Sequence, residues 1–175
     1  MANQYTFSVQ QVQVAPNNGN GTFGSAYELQ STKTVTTAQK LVSDRSQGNT
    51  KITALAAQTI SYDLSLDTAG FDFSALSIFM NDPATSSNTG QVWTVPNQLM
   101  PYFGLVAQAF PETGDVLWFW PRCKITGDFS YKLEFGKIIV PQFKCEAIED
   151  ENLGFIVRVY ERPGGGSITF PPVVA

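Results

Sequence analysis

The chain contains no histidine, which excludes every mechanism that needs an imidazole near neutrality: Ser-His-Asp and Cys-His nucleophile activation, and His-ligated zinc or haem. Charge is scarce as well. Only 15% of the residues are Asp, Glu, Lys or Arg, and the formal net charge is −4, whereas surfaces that hold nucleic-acid phosphates draw on clustered positive charge. Two cysteines, Cys123 and Cys145, are too few for a disulfide framework in a chain of this length and read as reduced core residues. No segment approaches the roughly 20 apolar residues that cross a bilayer, so no membrane partner is expected. The start Met1-Ala2-Asn3-Gln4-Tyr5 lacks the basic and apolar regions of a secretory signal. The protein is therefore expected to be made and kept in a reducing cytoplasm, or assembled there into something larger. What the chain does have is aromatic mass, with 13 Phe, 6 Tyr and 3 Trp in 175 residues. That length suits one domain, and the composition excludes disorder, collagen and coiled coil. A weakly charged surface of this kind suits partial coverage by partners.

Apolar residues recur at every second position in most informative segments, the pattern of strands with one buried face. In the first, Tyr5 to Val14, the residues Tyr5, Phe7 and Val9 share one phase and Val12 and Val14 the other, which places a bulge near Gln10-Gln11 or a change of partner. Tyr27 to Thr37 is Thr-rich and weakly strand-like. Between Ser43 and Ala57 the alternation is lost, and the segment reads as a long loop that serves as an interaction arm. Gln58 to Leu66 is the cleanest strand: Ile60, Tyr62, Leu64 and Leu66 fall on one face, and Thr59, Ser61, Asp63 and Ser65 on the other. Asp72 offers an N-cap to a short helix carrying Phe73, Leu76 and Met80, stopped at Asn81-Asp82-Pro83. Ala84 to Gly90 reads as a polar loop and Gln91 to Val95 as a short strand around Trp93.

Phe103, Val106 and Phe110 fit helical spacing too, yet the turn Pro111-Glu112-Thr113-Gly114-Asp115 favours a strand over Tyr102 to Phe110, with Val116 to Trp120 strand-like beyond it. Three more runs follow: Phe129 to Phe135, Ile138 to Ala147 with Pro141 at a bulge or edge, and Leu153 to Val159 after an acidic turn. Arg162-Pro163-Gly164-Gly165-Gly166 reads as a hinge, dividing a domain over 1–162 from an apolar arm over 163–175 that is too short to fold alone. The expected fold is mainly β: a β-sandwich or barrel with one short flanking α-helix and long loops or arms. Free strand edges in such a fold invite pairing with another chain.

The motifs that carry chemistry elsewhere fail here for want of context. Gly19-Asn20-Gly21-Thr22-Phe23-Gly24 matches G-x-G-x-x-G, and Asp44 follows at about the right distance. A dinucleotide fold then needs a helix to hold the pyrophosphate. Tyr27 to Thr37 is β-like instead, so the motif reads as a loop. The sequon Asn20-Gly21-Thr22 has no meaning without secretion. Asp63 with Asp67, or Glu146, Glu149, Asp150 and Glu151, lie on polar faces and turns, where a carboxyl is not held protonated near neutral pH. They read as solvated charge, and none has the spacing of a calcium loop. Trp118, Phe119 and Trp120 beside Arg122 and Lys124 could stack bases or sugars, but read better as a buried strand with two cations at its exit. No catalytic, cofactor-binding or metal-binding residue is assigned, and no enzymatic activity is expected.

From roughly Thr50 to Arg162 the order of elements resembles that of the tail tube, or major tail, proteins of long-tailed bacteriophages. The resemblance rests on Gln58-Thr59-Ile60-Ser61-Tyr62-Asp63-Leu64-Ser65-Leu66 ahead of the short helix, then on Phe119-Trp120-Pro121-Arg122-Cys123-Lys124-Ile125 leading to Phe129-Ser130-Tyr131-Lys132-Leu133-Glu134-Phe135. It continues through Phe143-Lys144-Cys145-Glu146-Ala147, an acidic turn, and the strand Gly154-Phe155-Ile156-Val157-Arg158-Val159-Tyr160. The resemblance implies a β-sandwich with a flanking helix, closing into hexameric rings that stack into a conduit for the genome. It further implies a place in the virion tail after assembly in the host cytoplasm, and partners such as tape measure and tail terminator proteins, with DNA passing through without specific binding. On this view Thr59, Ser61, Asp63 and Ser65 suit a lumen wall that is small and neutral or acidic, and Asp44, Arg45, Asn49, Lys51, Ile168 and Phe170 lie on docking arms. The competing expectations are a carbohydrate-binding β-sandwich that uses Trp93, Trp118 and Trp120, or another virion part such as a decoration or tail-terminator protein.

Overall fold

The computed structural model describes residues 8–29, 32–48, 51–68, 77–79, 85–87, 90–92, 99–110, 115–126, 142–162 and 166–172. Ten strands account for most of them: β1 (Ser8–Pro16), β2 (Tyr27–Glu28), β3 (Thr32–Gly48), β4 (Lys51–Thr68), β5 (Thr85–Ser87), β6 (Gly90–Val92), β7 (Phe103–Phe110), β8 (Asp115–Ile125), β9 (Gln142–Ile148) and β10 (Arg158–Arg162). Eight of these form one antiparallel sheet with the order β2-β1-β7-β8-β9-β4-β3, and β10 pairs with β8. The expected mainly β class is thus the observed one. The sheet rolls until β1 and β3 approach each other, but they do not hydrogen-bond, so the roll stays open along that seam.

The roll has an inner and an outer core, and β7 separates them. Every residue from Phe103 to Ala109 is buried, which is why this strand reads as a nearly continuous apolar run rather than an alternating one. Phe103, Leu105 and Ala107 join Val12, Val14, Leu64, Leu66, Phe143 and Trp120 inside the roll. Val106 faces outward to Leu117, Phe119 and Ile168, with Phe23, Phe155 and Phe170 packed against them. The described helical turn, residues 77–79, delivers fully buried Phe79 to the inner core, 4.8 Å from the Phe103 ring and 5.0 Å from that of Phe143 between centroids. Phe73, Leu76 and Met80 lie outside the described residues.

Strand β8 forks the sheet. Its free edge pairs with β10 over Asp115 to Phe119 and with β9 over Arg122 to Ile125. Pro121 sits at the fork, where neither partner requires an N–H that proline lacks. Opposite it, Gly104 leaves room for two rings: a Cβ there would fall 2.7 Å from Phe23 and 2.8 Å from Phe170.

Several expectations are met and others corrected. The bulge falls at Gln10, between the pairs Val9↔Ala109 and Gln11↔Gln108. The strand expected over Tyr102 to Phe110 is β7, which begins at Phe103. Cys123 and Cys145 are buried free thiols, and burial pushes the Cys123 thiol well above its usual range. By contrast, Ser43 to Ala57 is not a long loop. It belongs to a ribbon in which β3 and β4 pair as far as Gly48↔Lys51. Pairing of β4 with β9 ends at Tyr62↔Ala147, so this stretch is a two-stranded ribbon, with no third strand among the described residues to impose a period of two on its sequence. Ala84 to Gly90 contains β5, paired with β6. The last strand begins at Arg158 rather than Leu153: Asp150 accepts the N–H groups of Asn152 and Leu153, and Gly154 takes φ 70°, so residues 151–154 turn before the strand starts. The runs Tyr5 to Phe7 and Phe129 to Phe135, with Trp93, Asn49 and Pro141, lie outside the described residues.

Candidate assembly surface

Cross-strand register places three rows of side chains, polar except for Ala38, on the outer face of β3, β4 and β9. Thr36, Ala38 and Lys40 stand opposite Ser65, Asp63 and Ser61, and Ser65 and Asp63 stand opposite Lys144 and Glu146. At its centre Lys40 Nζ lies 2.7 Å from Asp63 Oδ1 and donates to Glu146 Oε1 at 3.0 Å. Ser61 Oγ donates to the same Glu146 oxygen at 2.7 Å. The Ser61 hydroxyl, then the Lys40 ammonium, hold the Glu146 carboxyl below its usual range, and Asp63 and Glu146 hold Lys40 above its own. Farther along, Asp67 accepts from Thr34 at 2.8 Å and from Gln142 at 2.9 Å.

Of the four residues expected to share one face, the structure brings together Ser61, Asp63 and Ser65. Thr59 is elsewhere. Lys40 pairs with Ser61 and Leu41 with Thr59, so Ile60 is an extra residue in β4, and the bulge turns Thr59 to the opposite face, where it accepts a hydrogen bond from Gln39. Nothing in the local sequence signals this, because Thr59 and Ser61 are equally polar. Nor is the face an acidic wall. Lys40 and Lys144 interleave with Asp63, Asp67 and Glu146, and β8 extends the row with Arg122 and Lys124, opposite Ile148 and Glu146. Arg122 donates to Glu151 at 3.0 Å and lies over the Tyr102 ring, with Lys124 also near that ring. The two cations expected at the exit of the buried strand are thus engaged within the chain.

Beyond this face runs the ribbon that carries Asp44, Arg45 and Lys51. From Leu41 to Gly48 it extends eight residues, roughly 26 Å at about 3.3 Å per residue. At its base Leu41 is 56% exposed, Val42 54% and Ile60 49%. Leu41 and Val42 are neighbours on one strand and point to opposite faces, so the ribbon exposes apolar surface on both sides. The outer edge of β3 has no partner strand among the described residues.

The other two arm residues lie differently. Ile168 is 9% exposed in the outer core, and the Phe170 ring is 5.1 Å from that of Phe23 and 5.6 Å from that of Phe119 between centroids. Residues 166–172 are therefore laid on their own chain. Trp118 and Trp120 face inward, and Trp93 lies outside the described residues: Trp120 is 2% exposed, and its indole N–H has no partner among the described residues. Trp118 and Trp120 line a cavity of about 270 Å³ at the open seam with Val9, Val35 and Ala107, which leaves Trp120 no exposed flat face to offer a sugar ring. No family model matches the chain, and no curated protein matches it.

Proposed function

We propose that this chain is a structural subunit that polymerises with itself into stacked rings, the tail tube of a long-tailed bacteriophage, and that DNA passes along the resulting conduit. The observation that carries the reading is the β3–β4 ribbon. It continues past the sheet with apolar side chains exposed on both faces of its base, next to a strand edge of 17 residues with no outer partner among the described residues. A long unpaired edge templates pairing with another chain, and apolar surface on two opposite faces calls for cover on both. Copies of the chain joined edge to edge would supply that cover and remove the edge.

The polar face of β3, β4 and β9 is then the wall that meets DNA. Lys40 and Arg122 are each tied to carboxylates, so neither is free to hold a phosphate. The fields of such pairs decay within a Debye length, ~8 Å in physiological salt. A wall of this kind holds the polymer neither by attraction nor by fixed repulsion. Tape measure and tail terminator proteins would be the further partners. Electron microscopy of the purified chain at high concentration tests the reading: tubes or stacked rings are expected. Isolated rings alone would favour a tail terminator, and a monomer at every concentration would end the proposal.

A further inference from the structure

We propose that the outer groove filled by residues 166–172 is an exchange site, and that the same segment of a second copy of this chain can occupy it. The segment is held at two points. Ile168 and Phe170 fill the apolar groove against Phe23, Phe119 and Val106. Before them, backbone oxygens are clamped by side chains of the sheet: Gly166 O accepts from Arg162 Nη2 at 3.0 Å and from Gln108 Nε2 at 3.2 Å, and Ser167 O accepts from Arg162 Nη1 at 3.1 Å. Those donors belong to the groove rather than to the segment. Asp115, fully buried, orients both of them, taking Gln108 Nε2 at 2.6 Å and Arg162 Nε at 2.8 Å together with Arg162 Nη2. When the segment leaves, Arg162, Gln108 and Asp115 stay paired with one another through Arg162 Nε and Nη2, and what loses partners is two backbone oxygens, the Arg162 Nη1 donor and an apolar groove.

A second copy restores each of those contacts, because its segment is chemically identical. Exchange therefore changes only the path of the connection, which in sequence is Pro163-Gly164-Gly165. Such swaps are a low-cost route to association. Concentration decides which form prevails. A connection this short keeps the chain's own segment at an effective concentration on the order of mM, so dilute chains close on themselves, and exchange begins where copies are packed at similar density. The setting rests on the reading of the chain as a self-assembling subunit, but the groove can be tested without any tube.

The test mixes two full-length variants, both carrying Leu41→Ser to silence the ribbon. One has Ile168→Asp, which leaves its groove open and makes its own segment unfit to enter. The other has Gly104→Val, which obstructs its groove at the Phe23 and Phe170 rings and leaves its segment intact. Each alone is expected at 19.1 kDa by sedimentation, and the mixture at about 1 mM of each is expected to form a one-to-one pair of twice that mass. A mixture that stays at the single mass, with both variants folded by circular dichroism, overturns the proposal. Should Gly104→Val fail to fold, the Ile168→Asp chain is mixed with a chain whose groove and tail are native. Pairing is then expected at concentrations at least tenfold higher, and its absence overturns the proposal equally. Failure of the chain to form tubes under any condition would strike the assembly reading and leave this result standing.

Discussion

The β3–β4 ribbon and the segment 166–172 both extend from one rolled sheet, yet the ribbon holds Leu41, Val42 and Ile60 in solvent whereas the segment buries Ile168 and sets Phe170 between two rings. The difference lies in what each can reach. A segment of seven residues beside an apolar groove closes on its own chain. A ribbon running roughly 26 Å past the last strand that flanks it has no further strand to pair with among the described residues. Burial energy in the first case goes to the stability of the chain, and in the second, on the proposed assembly, it becomes available between copies. Measurements that separate folding from association should therefore divide the two regions cleanly.

The largest effect is expected from removing Gly164 to Ala175. Burying Ile168 and Phe170 contributes about 2 kcal/mol each, so the truncated chain should lose on the order of 4 kcal/mol in urea unfolding, with the Phe23 and Phe119 rings newly wet. Replacing Ser43 to Ala57 by a two-residue turn should leave the unfolding midpoint near that of the intact chain and abolish polymerisation. If truncation leaves stability intact, or the shortened ribbon unfolds the sheet, the contrast between the two regions is lost.

Next in size is the Asp115 clamp. Its side chain is fully buried and the Arg162 side chain 16% exposed; the arginine holds the carboxyl below its usual range, with Gln108 adding to this against the cost of burial. A carboxyl whose folded pKa lies below its unfolded value stabilises the fold at every pH above that unfolded value, near 3.9, and the contribution is lost as pH falls through the folded pKa. Asp115→Asn should cost about 3 kcal/mol at pH 7, the lower end for breaking a buried pair because Arg162 keeps some access to water. Stability measured from pH 7 down to pH 2 should fall less steeply in the variant. Equal acid sensitivity in both proteins would remove Asp115 from that limb, leaving Asp150 and Glu146, whose carboxyls are also held low.

A smaller change in the subunit, and a decisive one between subunits, is expected from Leu41→Ser. An exposed site of this kind shifts stability by no more than about 0.5 kcal/mol, so thermal melts of the dilute protein should coincide. The critical concentration for polymerisation should rise at least tenfold, read by light scattering. Coincident scattering curves would show that the apolar base of the ribbon meets no neighbour.

How far the sequence spoke for itself follows the same division. Where a strand has one wet and one buried face, alternation reports it, as the phase change at Gln10 and the run Tyr62 to Leu66 both do. Where both faces are buried, β7 reads as a continuous apolar run and needs its flanking turn to be told from a helix. From Ser43 to Ala57, where no third strand flanks the ribbon among the described residues, the period disappears although the strand remains. Contacts distant in sequence left no local trace: Phe170 meets Phe23 and Gly104, and no spacing rule joins such positions. The bulge at Ile60 was silent because it exchanges one polar residue for another, and the charge of the outer face was misjudged because Lys40 and Lys144 come from strands other than β4.

The smallest effect on folding and the most specific one on function is expected from Asp63→Lys. Asp63 is half-exposed and shares Lys40 with Glu146, so its loss leaves the ammonium one carboxylate and the strand pairing intact. The melting curve should barely move and assembly should proceed. What changes is the balance of the face: a second cation next to Lys40 leaves one ammonium without a carboxylate, free to hold a phosphate. If the chain forms the proposed tail tube, genome ejection from assembled particles should slow, and more so at low ionic strength, because added salt screens the new attraction. Ejection kinetics identical to those of the parent at low salt would take this face of β3, β4 and β9 away from the path of the DNA and turn it toward the outside of the tube.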